Sequence, residues 1–152
     1  MKKILFYSII IAVTAACSSK TANESTTETE QVPEAEETKV EPEVYFILPQ
    51  DGATVSSPVK ITMGVKGMEV EPAGQVNEGK GHHHLIVNGS FIEKGKVVPA
   101  DSTHIHYGKG QTEVELELPP GKHTVTMQFA DGVHVSYGES MSSTIEIVVA
   151  EE

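Results

Sequence analysis

The segment Gly81-His82-His83-His84-Leu85-Ile86-Val87 sets three consecutive imidazoles directly ahead of an apolar, β-branched run. Further along come His104-Ile105-His106, His123 and His134, which make seven His in a chain with no Arg and no Trp. Neutral imidazole is a good ligand for Zn, Cu, Ni and Fe. In a β-strand, side chains two positions apart share a face and stand about 7 Å from one another along the strand. His82 and His84 therefore project together and His83 opposes them; His104 and His106 form a second such pair if their segment is extended. Two facing His-x-His pairs supply up to four ring nitrogens. His82, His84, His104 and His106, with His134, are accordingly the candidate ligands of a copper or zinc site. Asp101, Asp131 and Glu78 are possible carboxylate supplements, and Met63 or Met68 possible thioethers for Cu(I).

Strand parity divides the work of the triplet. His82 and His84 share a face with Ile86, while His83 shares the other with Leu85 and Val87. One set must point toward the core, where an imidazole has to be hydrogen-bonded or ligated, because a bare buried polar group costs about 1–3 kcal/mol. His83 pinning the Gly67–Gly81 loop through a carbonyl is the structural reading. His123 aligns with Val125 and Met127 and reads as a cap on its strand. Enzyme chemistry has little support: the chain has no His-Glu-x-x-His helix, Gly-rich phosphate loop or Ser nucleophile elbow. A metalloenzyme would also need an open coordination position and a general base, for which Glu78, Asp101 and Glu113 are only nominal candidates.

The elements that must hold these side chains are strands. Val44–Leu48 is a short apolar run ending at Pro49. Pro58–Val65 alternates, with Ile61, Met63 and Val65 inward and Lys60 and Thr62 outward. Asn88-Gly89 closes the His-rich strand with turn chemistry, and 91–110 is irregular. Val114, Leu116 and Leu118 alternate with Glu113, Glu115 and Glu117; Val125, Met127 and Phe129 alternate with Thr124, Thr126 and Gln128. Across the Pro119-Pro120-Gly121 turn these two segments are expected to pair antiparallel. Ser143–Val149 is a last strand with Ile145 and Ile147 inward. No helical periodicity follows the N-terminal segment. The pattern predicts an all-β domain, an Ig-like antiparallel β-sandwich of about seven strands over residues 44–152.

The N-terminus reads as an export signal. Lys2 and Lys3 precede an apolar run, Ile4–Ala16, which is too short to span a bilayer once its small residues are discounted. It closes on Thr14-Ala15-Ala16-Cys17, which resembles a bacterial lipobox, with Thr14 in place of the usual Leu. Residues 1–16 are then a lipoprotein signal peptide and Cys17 the lipidated mature N-terminus. Cys17 is the only Cys, so no intramolecular disulfide is possible, and lipidation would also remove a free thiol from an oxidising compartment. Residues 17–43 are rich in Thr, Ser, Glu, Ala and Pro, too poor in apolar surface to fold. As a coil this acidic tether would set the domain about 30 Å from the membrane. The expected location is the outer membrane or periplasmic face of a bacterial envelope, with the membrane engaged through the lipid. A net charge of −11 with Lys as the only cation argues against nucleic acid and favours small cations as partners.

From Val44 to Val149 the chain resembles the bacterial domain of unknown function 4399 family. The resemblance lies in Gly67-Met68 with Pro72-Ala73-Gly74, Gly81-His82-His83-His84-Leu85-Ile86, Pro99-Ala100-Asp101 with His104-Ile105-His106-Tyr107-Gly108, Gly110-Gln111-Thr112-Glu113, and Leu118-Pro119-Pro120-Gly121-Lys122-His123-Thr124. The family usually has Gly-Asp where this chain has Ala130-Asp131, with a His following as His134 does. It then tends to carry His, Asp and paired Pro where this chain has Val135–Met141. The family's activity is not established, so the resemblance implies a compact exported β-domain built around the His blocks. A weaker similarity is to periplasmic copper-handling sandwiches. The functional expectation is a membrane-anchored lipoprotein that binds copper or zinc for sequestration or delivery. The alternative is a non-catalytic Ig-like envelope module that binds protein or glycan, its His purely structural.

Overall fold

The computed structural model describes residues 40–151. The signal peptide (1–16), Cys17 and most of the tether assigned to 17–43 lie outside the described residues. Among the described residues nine strands form, in chain order β1 Glu43–Leu48, β2 Thr54–Val55, β3 Val59–Lys66, β4 Glu69–Val70, β5 Lys80–Val87, β6 His104–His106, β7 Glu113–Leu116, β8 Gly121–Ala130 and β9 Ser142–Val149. One 3₁₀ turn, Glu139–Met141, precedes β9. Among the described residues no helix is long and apolar enough to cross a membrane.

The strands make two sheets, β1-β3-β7 and β2-β9-β8-β5-β4, with β6 also paired to β5. The long pairings are antiparallel. Alternation explains the layering: Ile61 and Met63 of β3 face Leu85 of β5, Val125, Met127 and Phe129 of β8, and Ile145 and Ile147 of β9 across one apolar core. This is the β-sandwich expected from the sequence. The two strands beyond the expected seven, β2 and β4, are two-residue pieces paired in parallel with β9 and β5, too short to carry a period.

One expectation is overturned. β7 and β8 are not a hairpin: β7 pairs with β3, whereas β8 pairs with β5 and β9. Pro119-Pro120-Gly121 instead carries the chain from one sheet to the other. Leu116 and Leu118 share one core with Val125 and Met127, and the same alternation serves strands of opposite sheets as well as strands that pair.

The second departure positions the site. The outward side of the larger sheet is not solvated, and Thr126, Gln128 and Ile86 on it are buried. The irregular segment after β5 and the segment after β8 lie over it as a third layer. Gln128 Oε1 accepts from the Ile92 N–H at 2.9 Å, and its Nε2 donates to the carbonyls of Gly138 and Met141. Thr126 Oγ1 donates to Gly89 O at 2.8 Å and Ser136 Oγ to Ile92 O at 2.7 Å. Those buried polar groups are satisfied by the covering loops, which they fasten in turn.

Candidate metal centre

The His triplet is split by the pleat of β5. His83 turns into the sandwich core with its ring 5.0 Å from that of Phe129. His82 and His84 turn outward beneath the covering layer. All three are sealed, at 0%, 0% and 2% exposure. The expected carbonyl partner for His83 is not there: among the described residues neither of its ring nitrogens has a hydrogen-bond partner.

Two further imidazoles reach the outward pair. β6 lies antiparallel to β5 with His106 opposite His84 and His104 opposite Ile86, so His106 meets the pair and His104 stands one step further along. Gly108 keeps His106 in place, since a Cβ there would run into the His106 ring. His134 comes from the loop after β8 in a left-handed conformation, φ 70°, which His adopts more readily than most residues. Asp131 holds that loop. Its Oδ1 accepts from the N–H groups of Val133 and Val135, each at 2.9 Å, and its carbonyl accepts from His134 N at 2.9 Å. His134 O in turn accepts from Val98 N at 2.9 Å. At Gly132 a Cβ would strike the Gln75 backbone, so the Gly67–Gly81 loop packs directly against this turn.

The four rings make one cluster. His84 Nε2 is 3.0 Å from His82 Nε2, and His134 Nε2 is 3.1 Å from His106 Nε2. Ligand nitrogens of His82, His84 and His106 lie within 4.8 Å of one another. His134 joins through His106 and sits at the wider end, its ring centroid 5.7 Å from that of His84. His82 and His84 form the sealed floor and the exposed His106 the mouth. The Nδ1 atoms of His82 and His84 have no partner among the described residues. Packing, rather than the hydrogen bond that usually orients a ligating imidazole, therefore sets these two rings.

Burial, with like charge on His106 and then His134, lowers the His82 pKa to about 4 against a smaller opposing pull from Asp131. Burial, then like charge on His82, His106, His134 and His104, lowers His84 to about 3. His106 is lowered by burial and then by His134. His82 and His84 therefore stay neutral in mildly acidic solution, the state in which imidazole binds a metal.

The remaining sequence candidates fall elsewhere. His104 Nδ1 is 2.9 Å from Asp101 Oδ1, an atom that also accepts from Thr103 Oγ1 at 2.7 Å and from the N–H groups of Thr103 and His104. The hydrogen bond from His104, then those from Thr103, hold the Asp101 carboxyl far below its ordinary range. His123 Nε2 donates to Pro119 O at 2.9 Å at the start of β8, the capping role read from the sequence. Glu78 is exposed, Met63 is in the core, Met68 packs against it, and Glu113 pairs with Lys60 at 3.5 Å on the other sheet. Gln128 and Gly108 were missed. Gln128 alternates on the polar side of β8 like any solvent-facing residue, and nothing local announces the layer above it. The Gly two places after His106 was the available signal for Gly108.

Fold and site together define a single antiparallel β-sandwich bearing a four-imidazole cluster on the covered outer face of one sheet. Residues 61–150 match the family described as Domain of unknown function (DUF4399), and the chain belongs to it. No curated protein matches the chain. Among solved structures, the endo-beta-1,4-mannanase from Thermotoga petrophila is similar at 19% identity and a TM-score of 0.46, over 76% of this chain and 21% of that one. The chain thus spans about a fifth of that enzyme's length.

Proposed function

We propose that the domain binds one transition-metal ion through His82, His84, His106 and His134. On this reading the protein is held by a lipid on Cys17 at the bacterial envelope and serves to sequester or deliver the metal. The observation that carries the reading is the mutual spacing of the rings. An ion about 2.0–2.1 Å from each Nε2 lies about 3.2 Å from each ring centroid, which makes neighbouring centroids about 5.2 Å apart in a tetrahedron. A square plane would give four separations near about 4.5 Å and two near about 6.4 Å. The six separations here run from 4.6 to 5.7 Å. That spread favours a tetrahedral ion, Zn(II) or Cu(I), over tetragonal Cu(II).

The Nε2 atoms meet in two pairs, 3.0 and 3.1 Å apart, and a tetrahedral ion would need each contact wider by only about 0.3 Å. The ligands are therefore preorganised. A purely structural His network would be expected to spend its imidazoles on backbone carbonyls; among the described residues none of these four does so.

Isothermal titration of the protein with Zn(II), and anaerobically with Cu(I), tests the proposal. One ion per chain is expected, with affinity lowered at least about 100-fold in His84→Ala and in His106→Ala, comparable to or beyond the loss of an outer-shell partner. Variants that bind as tightly as the parent would refute it.

A further inference from the structure

Resting on the metal-binding reading, we propose that His104, held by Asp101, is a transfer ligand: a fifth imidazole outside the four-His centre that takes the ion in transit between solvent and the cluster. The placement comes from the β5–β6 register. His106 stands opposite His84 and His104 opposite Ile86, so the His104 side chain lies on the same face as the cluster, about 7 Å along the strand from His106. β6 sits on the side of β5 away from β8, at the mouth rather than the floor.

The chemistry of His104 suits a ligand, and its Nε2 is left free for one. Its Nδ1 donates to Asp101 Oδ1, which fixes the tautomer and leaves Nε2 with a free lone pair. Nε2 has no partner among the described residues, yet it is not among the sealed unpartnered atoms, as the ring nitrogens of His83 are. Asp101 is itself held by Thr103 and by the backbone of residues 103 and 104. The imidazole is thereby aimed, as a carboxylate aims a metal-bound His. The ion need never be bare: His104 can bind it while it keeps waters or a chelator, then pass it to His106 and His134 as those partners leave. The side chain is 16% exposed, enough for such contact.

A transfer ligand lowers the barrier in both directions and leaves the end states alone. The test is stopped-flow exchange of Zn(II) between the protein and a chromophoric chelator, with equilibrium affinity measured in parallel. His104→Gln, whose amide can still donate to Asp101, is expected to keep one ion per chain and an affinity within about threefold, while loading and chelator-driven release both slow about tenfold. Rates within twofold of the parent would overturn the transfer role. An affinity loss above tenfold would overturn it too, by making His104 a fifth permanent ligand. If the parent takes up no stoichiometric zinc, the proposed function fails and the transfer role with it; if only the rates are unmoved, the function stands alone.

Discussion

Acid should destabilise this domain steeply over a window set by its buried imidazoles. His82 and His83 have pKa values lowered to about 4 and His84 to about 3, against an ordinary value of 6.5, with burial the leading cause in each. The unfolded chain takes up protons at these positions as pH falls below 6.5, and the folded domain does not until pH nears its own lower values. Stability is therefore complete above about pH 7 and is lost from there downward. At about pH 5.5 each ring has cost about 1.4 kcal/mol, a figure that depends on the unfolded value and hardly on how far below it the folded one lies. Three rings give about 4 kcal/mol, a large share of the stability of a domain this size. Urea unfolding of metal-free protein between pH 7.5 and 5.5, followed by circular dichroism, measures it. Saturating Zn(II) should oppose the loss, adding about 2.7 kcal/mol at a free concentration 100 times Kd. A flat profile across that window would mean that the three rings are solvated or charged in the fold, and the buried neutral cluster would have to be abandoned.

Two substitutions separate the roles within the triplet and its surroundings. His83→Leu exchanges a ring with two unpartnered nitrogens in the core for an apolar side chain. It is expected to raise stability by about 1–3 kcal/mol at neutral pH and to remove about a third of the acid sensitivity, with zinc affinity unchanged; the same urea series and a zinc titration read all three. Gly108→Ala sets a methyl group against the His106 ring. Displacing that one ligand is expected to weaken zinc binding at least tenfold while the unfolding midpoint of the metal-free protein moves little; an unaltered titration would take His106 out of the site.

What the sequence reveals about this domain follows the range of each signal. Alternation is local, so β1, β3, β5 and β9 can be read almost to the residue. Pairing is not local, and β7 and β8 carry the same alternation whether they neighbour each other or face each other across the core. The split of the His triplet also follows from parity alone, but not the assignment of its faces. Both sides of β5 are buried, one by the core and one by loops, and loop cover leaves no periodic trace. For the same reason Thr126 and Gln128 read as solvent-facing although both are sealed.

That covering layer accounts for a centre on what would ordinarily be the wet face of a sheet. The sandwich core is filled by Phe129, Met127, Leu85 and Ile61, and a four-imidazole cluster there would have to displace them. On the outer face the rigid pleat of β5 supplies two rings at a fixed spacing, edge strand β6 a third, and a turn braced by Asp131 the fourth. The floor is thus built on a buried central strand and the mouth on the sheet's margin. On the proposed reading, a site that holds its ligands neutral and preformed yet exchanges its ion needs that division. The core would supply only the first requirement and a bare surface loop only the second.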